Sequence, residues 1–96
     1  MNEFTYPTPG EVLQEEFMEP LGLSQNALAR ALHVSPMRIN EIVNGRRAIT
    51  ADTDLRLCRY FRLSDGFFSR MQETYNRITT KKRITEELAA IIPCAS

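Results

Sequence analysis

The sequence predicts an all-α fold of five short helices with a C-terminal extension, and three observations carry that expectation. Turn formers cut the 96 residues at short intervals, and the stretches between them repeat their apolar residues at three- and four-residue spacing rather than alternating. Two stretches open on the same signature, Leu23-Ser24 followed by Leu28 and Val34-Ser35 followed by Ile39. A serine in that place accepts from the free N–H groups of the first turn while the flanking apolar pair closes over the cap. Length and composition agree: the chain lies below the common range of about 100 to 200 residues per domain, which predicts one domain over 1–96 and excludes a multidomain enzyme. With 43% hydrophobic and 25% charged residues, the composition is that of an ordinary folded domain.

Helix one is expected over about 11–18, where Leu13 and Phe17 stand four apart between Pro9-Gly10 and Pro20-Gly22. Helix two follows Ser24 and runs to about Leu32. Helix three starts at Pro36, where a missing N–H costs nothing, and ends at Asn44-Gly45, since glycine readily takes the left-handed conformation that closes a helix. His33 to Ser35 is all that remains between them. Two short helices joined so tightly, with Leu28, Leu32, Val34, Ile39 and Ile42 or Val43 facing inward, form a helix-turn-helix over about 24–45. Thr50 is expected to cap helix four, supported by Asp52 near the positive helix end, and Leu57, Cys58 and Phe61 supply its buried face. After the break at Leu63-Ser64, helix five runs over about 65–79 with Phe68, Met71, Tyr75 and Ile78 on one face. The segment 84–92 either forms a short helix or frays before Pro93.

The formal net charge is zero, from 12 Lys+Arg and 12 Asp+Glu, which taken alone argues against a nucleic-acid partner. Its distribution reverses that reading. Residues 1–29 hold five acids and no base; residues 30–59 hold six arginines and three acids; the remainder carries +2. The absence of a long apolar run and of a basic, apolar N-terminal leader predicts a cytoplasmic protein without a membrane partner. Cys58 and Cys94 are too few and too oddly placed for a disulfide scaffold or a zinc site, and both are read as reduced thiols. His33, the lone histidine, reads as a turn residue, and Cys58, without a neighbouring histidine, as a small core residue. No catalytic constellation, metal or cofactor is expected.

The order of elements, the tight turn and the Asn-Gly-Arg-Arg exit from helix three resemble the phage-repressor and Cro class of helix-turn-helix proteins, the XRE family. The closer resemblance is to HigA-type antidotes of toxin-antitoxin modules. It is carried by P-G-E-V-L-Q-E-E-F at 9–17, L-G-L-S-Q-N-A-L-A at 21–29, V-S-P-M-R-I-N-E-I-V-N-G-R-R-A-I-T-A-D-T at 34–53 and F-F-S-R-M-Q-E-T-Y at 67–75. Two positions differ from that pattern: Asp54 stands where a small apolar residue usually enters helix four, and Phe68 where the family usually has tryptophan.

The resemblance implies that helix three enters the DNA major groove with its N-terminal part against base edges. Matched to the motif, Pro36, Met37, Arg38 and Glu41 lie near the bases, with Asn40 close by. Arg38 has the chemistry for guanine O6 and N7, Asn40 for adenine, Glu41 for cytosine N4 and Met37 for a thymine methyl. Gln25, at the start of helix two, matches a phosphate-binding position, and Asn44, Arg46 and Arg47 would grip neighbouring phosphates. Met37 reads equally as a packing residue, and Arg46-Arg47 without the motif as a solvated pair.

Phe67, Phe68, Met71, Tyr75 and Ile78, followed by Ile84, Leu88, Ile91 and Ile92, exceed what so small a core needs. They either complete the monomer core or make residues 64–96 a homodimer interface, the reading favoured here. On helix one, Glu11, Glu15 and Glu19 are spaced four apart and form either a solvated face or a docking stripe for a basic toxin. The expected function is an antitoxin that binds double-stranded operator DNA, represses its own operon and neutralises a ribonuclease-type toxin. A stand-alone repressor, or an interaction module that has lost DNA binding, are the alternatives.

Overall fold

Residues 6–95 are described by the computed structural model, and all its regular elements are helical. α1 (Pro9–Val12) runs without a break into a π-helical turn at Leu13–Met18 and a 3-10 turn at Glu19–Leu21. It is followed by α2 (Gln25–Leu32), α3 (Pro36–Val43), α4 (Ala51–Phe61), α5 (Phe67–Arg83) and α6 (Thr85–Ala90). The last segment is thus helical, and α5 reaches four residues beyond the expected end. Among the described residues no helix is long and apolar enough to cross a membrane.

The two expected serine caps form. Ser24 Oγ accepts from the Ala27 N–H at 3.1 Å and Ser35 Oγ from the Arg38 N–H at 3.2 Å. At the far end of α3, Gly45 (φ +75°) lets its own N–H reach the Ile42 carbonyl and that of Arg46 the Glu41 carbonyl, the paired bonds that satisfy a helix C-terminus. α2 closes in the same way on His33, whose φ of +61° is rare for a residue with a side chain. Thr50 stands at the N-cap of α4 but offers no side-chain bond. An additional cap lies at Thr8: its Oγ1 accepts from the Glu11 N–H while the Glu11 carboxylate accepts from the Thr8 N–H, both at 3.1 Å.

The core gathers Leu13 and Met18 from the first helical segment, Leu28, Ala29 and Leu32 from α2, and Ile39, Ile42 and Val43 from α3. Ile49, Leu57, Cys58 and Phe68 complete it. Phe17 joins it to the outer aromatic layer, with ring centroids 5.1 Å from Phe61, 5.3 Å from Phe68 and 5.8 Å from Phe67. Phe68 has no exposed surface in the single chain. This corrects its assignment to a dimer interface, because its ring is spent on the monomer core. Gly10 is more than a turn former: a Cβ there would lie 1.7 Å from the Ile42 carbonyl oxygen, so α1 crosses α3 backbone to backbone.

Asp54 accounts for the start of α5. Gly66 precedes that helix with φ +96° and has no side chain to cap it. The carboxylate of Asp54, buried on α4, supplies the cap from outside. It accepts from the N–H groups of Gly66 (2.8 Å, Oδ2), Phe68 (2.8 Å, Oδ1) and Ser69 (2.9 Å, Oδ1), and the Cys58 thiol lies 3.5 Å from Oδ1. Orphan donors and the positive helix end are satisfied together. Burial pushes this carboxyl up, but the N–H groups of Ser69, Gly66 and Phe68 and the Cys58 thiol outweigh it and hold the group below its ordinary value.

A carboxyl whose folded pKa is depressed contributes stability in full above its unfolded value, about 3.9, and loses it as pH falls through the folded value. Asp54→Asn turns an amide group toward one of these donors and should cost about 2–3 kcal/mol at pH 7. Urea unfolding followed by circular dichroism at pH 7 and pH 3 checks this. The wild type should lose more stability between the two pH values than the variant does.

Candidate nucleic-acid interface

α2 and α3 pack against each other through Leu28, Leu32, Ile39 and Ile42, which leaves the opposite side of α3 to solvent. Met37 is 68% exposed, and Pro36 and Asn40 are also exposed. Gln25, in the first turn of α2, lies against this surface. Its Oε1 accepts from Asn40 Nδ2 at 3.1 Å, so the two amides stand side by side. Gln25 Nε2 remains a donor and Asn40 Oδ1 an acceptor outside this bond. Asn44 folds back on its own helix, donating from Nδ2 to the Asn40 carbonyl at 2.9 Å.

Charge is distributed unevenly among the site residues. Arg47 Nε donates to Glu41 Oε1 at 2.9 Å, which ties the base following the turn to the acid of α3. The side chain of Arg46 is exposed and makes no hydrogen bond or ion pair among the described residues. Arg38, expected at the base edges, instead turns toward α4: Nη1 donates to Asp52 Oδ1 at 2.8 Å and to Thr53 Oγ1 at 3.4 Å. Asp52 also accepts from Arg56 Nε at 2.8 Å. The Arg56 guanidinium, and then that of Arg38, hold the Asp52 carboxyl below the usual carboxylate range. Arg56 Nη1 in turn donates to the carbonyls of Leu32 (2.8 Å) and His33 (3.4 Å), closing the C-terminal end of α2.

The structure thus sets Gln25 beside Asn40 and Arg47 beside Glu41, leaves Pro36, Met37, Asn44 and Arg46 exposed, and turns Arg38 toward α4. Sequence reasoning missed Asp52 and Arg56 as the partners that hold Arg38. Their spacing of four on α4 was the available signal, but nothing local shows that α3 begins beside them. His33 is an exposed turn residue and Cys58 is buried. Among the described residues no group of three histidines, cysteines or carboxylates is placed to hold a metal.

Of the expected acidic stripe, Glu15 and Glu19 are exposed, whereas the Glu11 carboxylate is engaged in the cap at Thr8. The π-helical turn between Leu13 and Met18 widens the helix there, so a spacing of four no longer returns to the same angle as in an α-helix. On α5, Phe67, Met71, Tyr75 and Ile78 are half-buried, with Phe67 and Met71 packed on the core. Exposed apolar surface lies farther along, at Leu88 (40%), Ile91 (65%) and Ile92 (89%).

Comparison with known proteins agrees with this geometry. The helix-turn-helix family (HTH_3) matches residues 15–68, more than half of the chain. Virulence-associated protein I of Dichelobacter nodosus is 47% identical over 95 residues, 99% of this chain and 87% of that protein. A solved structure of Pseudomonas aeruginosa antitoxin HigA with the higBA promoter is 38% identical, with a TM-score of 0.88 over 93% of this chain and 98% of that one. Antitoxin GraA in complex with its operator is 30% identical, with a TM-score of 0.89 over 100% of this chain and 98% of that one. With its capped helix pair, its glycine-closed α3 and these similarities along nearly its whole length, the chain belongs to the helix-turn-helix family of DNA-binding, non-enzymatic proteins.

Proposed function

We propose that this chain is a HigA-like antitoxin that binds the operator of its own operon. The observation that carries the reading is the pairing of Gln25, at the N-terminus of α2, with Asn40 on the solvent face of α3. One amide is placed for a phosphate and the other for a base edge, the division of labour that a helix-turn-helix uses to fix its register before reading sequence. Met37, Pro36 and Glu41 complete the base-facing surface; Asn44, Arg46 and Arg47 flank it for the backbone. The likeness to two antitoxin structures that hold a promoter or an operator supports the same assignment.

Two partners accompany this reading. A homodimer would present two α3 helices to half-sites about 34–36 Å apart. The radius of gyration, 16.4 Å, exceeds the roughly 12–13 Å of a compact chain of this length, and Leu88 on α6 with Ile91 and Ile92 just after it supplies exposed apolar surface for a second copy. The dimer surface on α5 is then Met71, Tyr75 and Ile78 with the exposed part of Phe67. The toxin, in this proposal a ribonuclease, must hold RNA and is therefore expected to be basic; the acidic first helical segment, chiefly Glu15 and Glu19, fits such a partner.

Titration of the duplex upstream of its own gene should show sequence-selective binding whose affinity falls roughly 10²-fold between 50 and 200 mM salt, given two arginine–phosphate contacts per subunit in a dimer. Arg46→Ala should weaken all sequences alike, and Asn40→Ala should relax preference at one base pair at a cost of about 1–3 kcal/mol. Equal affinity for operator and scrambled duplex at 150 mM salt would overturn the proposal.

Charge reversal of Glu15 and Glu19 to Lys should slow capture of the purified cognate toxin at low ionic strength while leaving operator affinity nearly intact. Stopped-flow association rates check this; an unchanged rate places the docking surface elsewhere. If no toxin is encoded beside the gene, the chain is a stand-alone repressor.

A further inference from the structure

We propose that Asp52 sets the sequence preference of α3 by holding Arg38 out of the major groove, so that Arg38 is a positioning residue of the DNA-binding surface and not a reader of bases. This rests on the reading of the chain as a DNA-binding protein. Arg38 occupies the third residue of α3, a place from which a side chain reaches base edges. A bidentate contact with guanine takes two N–H groups of one guanidinium edge. Nη1 is already committed to Asp52 at 2.8 Å and to Thr53 at 3.4 Å, which takes up the Nη1–Nη2 edge and draws the guanidinium toward α4. The side chain is 29% exposed, although its neighbour Met37 is 68% exposed.

The grip extends beyond a single pair. Asp52 stands between Arg38 and Arg56, and Arg56 reaches the last carbonyls of α2. A continuous chain of charge-assisted bonds thus joins the end of α2, the start of α4 and the base-facing turn of α3. Such bonds are short and directional, so they fix the angle at which α3 meets DNA while withdrawing one arginine from the bases. Preference for guanine is suppressed at the base pair that Arg38 would otherwise meet. Met37 and Asn40 are left to read.

Binding-site selection from a randomised duplex library separates the possibilities, using the full-length wild type, Arg38→Ala, Asp52→Ala and the double variant. The wild type should select a defined site; if it selects none, the DNA-binding reading itself fails. Arg38→Ala should lose preference at no single base pair, and whatever it loses through the freed α3 should be spread over the whole site. Asp52→Ala should gain a guanine preference of about 5- to 150-fold at one position, and the double variant should lose that gain. Asp52→Asn, which keeps the shape of the side chain, provides the same readout if Asp52→Ala fails to fold. The inference is overturned if Arg38→Ala erases preference at a single base pair in the otherwise wild-type protein, or if neither Asp52 variant changes the selected site.

Discussion

One buried carboxylate joins the two halves of this chain. α5 begins at a glycine in the left-handed region, which has no side chain with which to cap the helix, and its first N–H groups point into the core. Left there unpaired, each would cost about 1–3 kcal/mol. Asp54 meets them from α4 with both oxygens, and the acid itself is tolerable in the interior only because it is fully hydrogen-bonded. The consequence is geometric. The start of α5 is fixed against α4, Phe68 is driven into the core beside Phe17, and the C-terminal arm leaves the domain in one defined direction.

A second set of constraints orients α3. Gly10 lets α1 touch the backbone of α3, the paired serine caps set where α2 and α3 begin, and the Arg56–Asp52–Arg38 chain fixes the base-facing turn against α4. These contacts come from different elements and act on the same short helix. A helix of eight residues is too short to hold itself in water, so the orientation of α3 is a property of the surrounding framework. The zero net charge is compatible with this because residues 1–29 hold five acids and no base, whereas residues 30–59 hold six arginines and three acids.

Local chemistry was legible in the sequence, and contacts between distant elements were not. Ser24, Ser35, Pro36 and Gly45 act within a few residues of themselves, so their roles and the helix-turn-helix they delimit could be read directly. Asp54 read only as a departure from an apolar position, because its partners at Gly66, Phe68 and Ser69 lie beyond a turn whose path spacing alone does not give. Glu11 was placed on a solvent-facing stripe when its nearer use was the cap at Thr8; a threonine followed by glutamate three residues later was the overlooked signal. Phe68 reads as interface from the apolar excess after residue 66, and such an excess cannot tell the inside of one chain from the seam between two. Arg38 was placed at base edges by its position on α3, and its ion pair with α4 required the third dimension.

The proposed DNA-binding surface lies on the α2–α3 pair, with the acidic first segment and the C-terminal arm proposed to meet protein partners. Amide chemical-shift mapping by NMR, with the labelled chain titrated by the duplex upstream of its own gene, tests that division most directly. The largest shifts should fall at Gln25, at 36–41 and at 44–47, with Glu15, Glu19 and the residues of α6 little changed. Shifts centred on the first helical segment or on α6, with those of α3 unmoved, would contradict it.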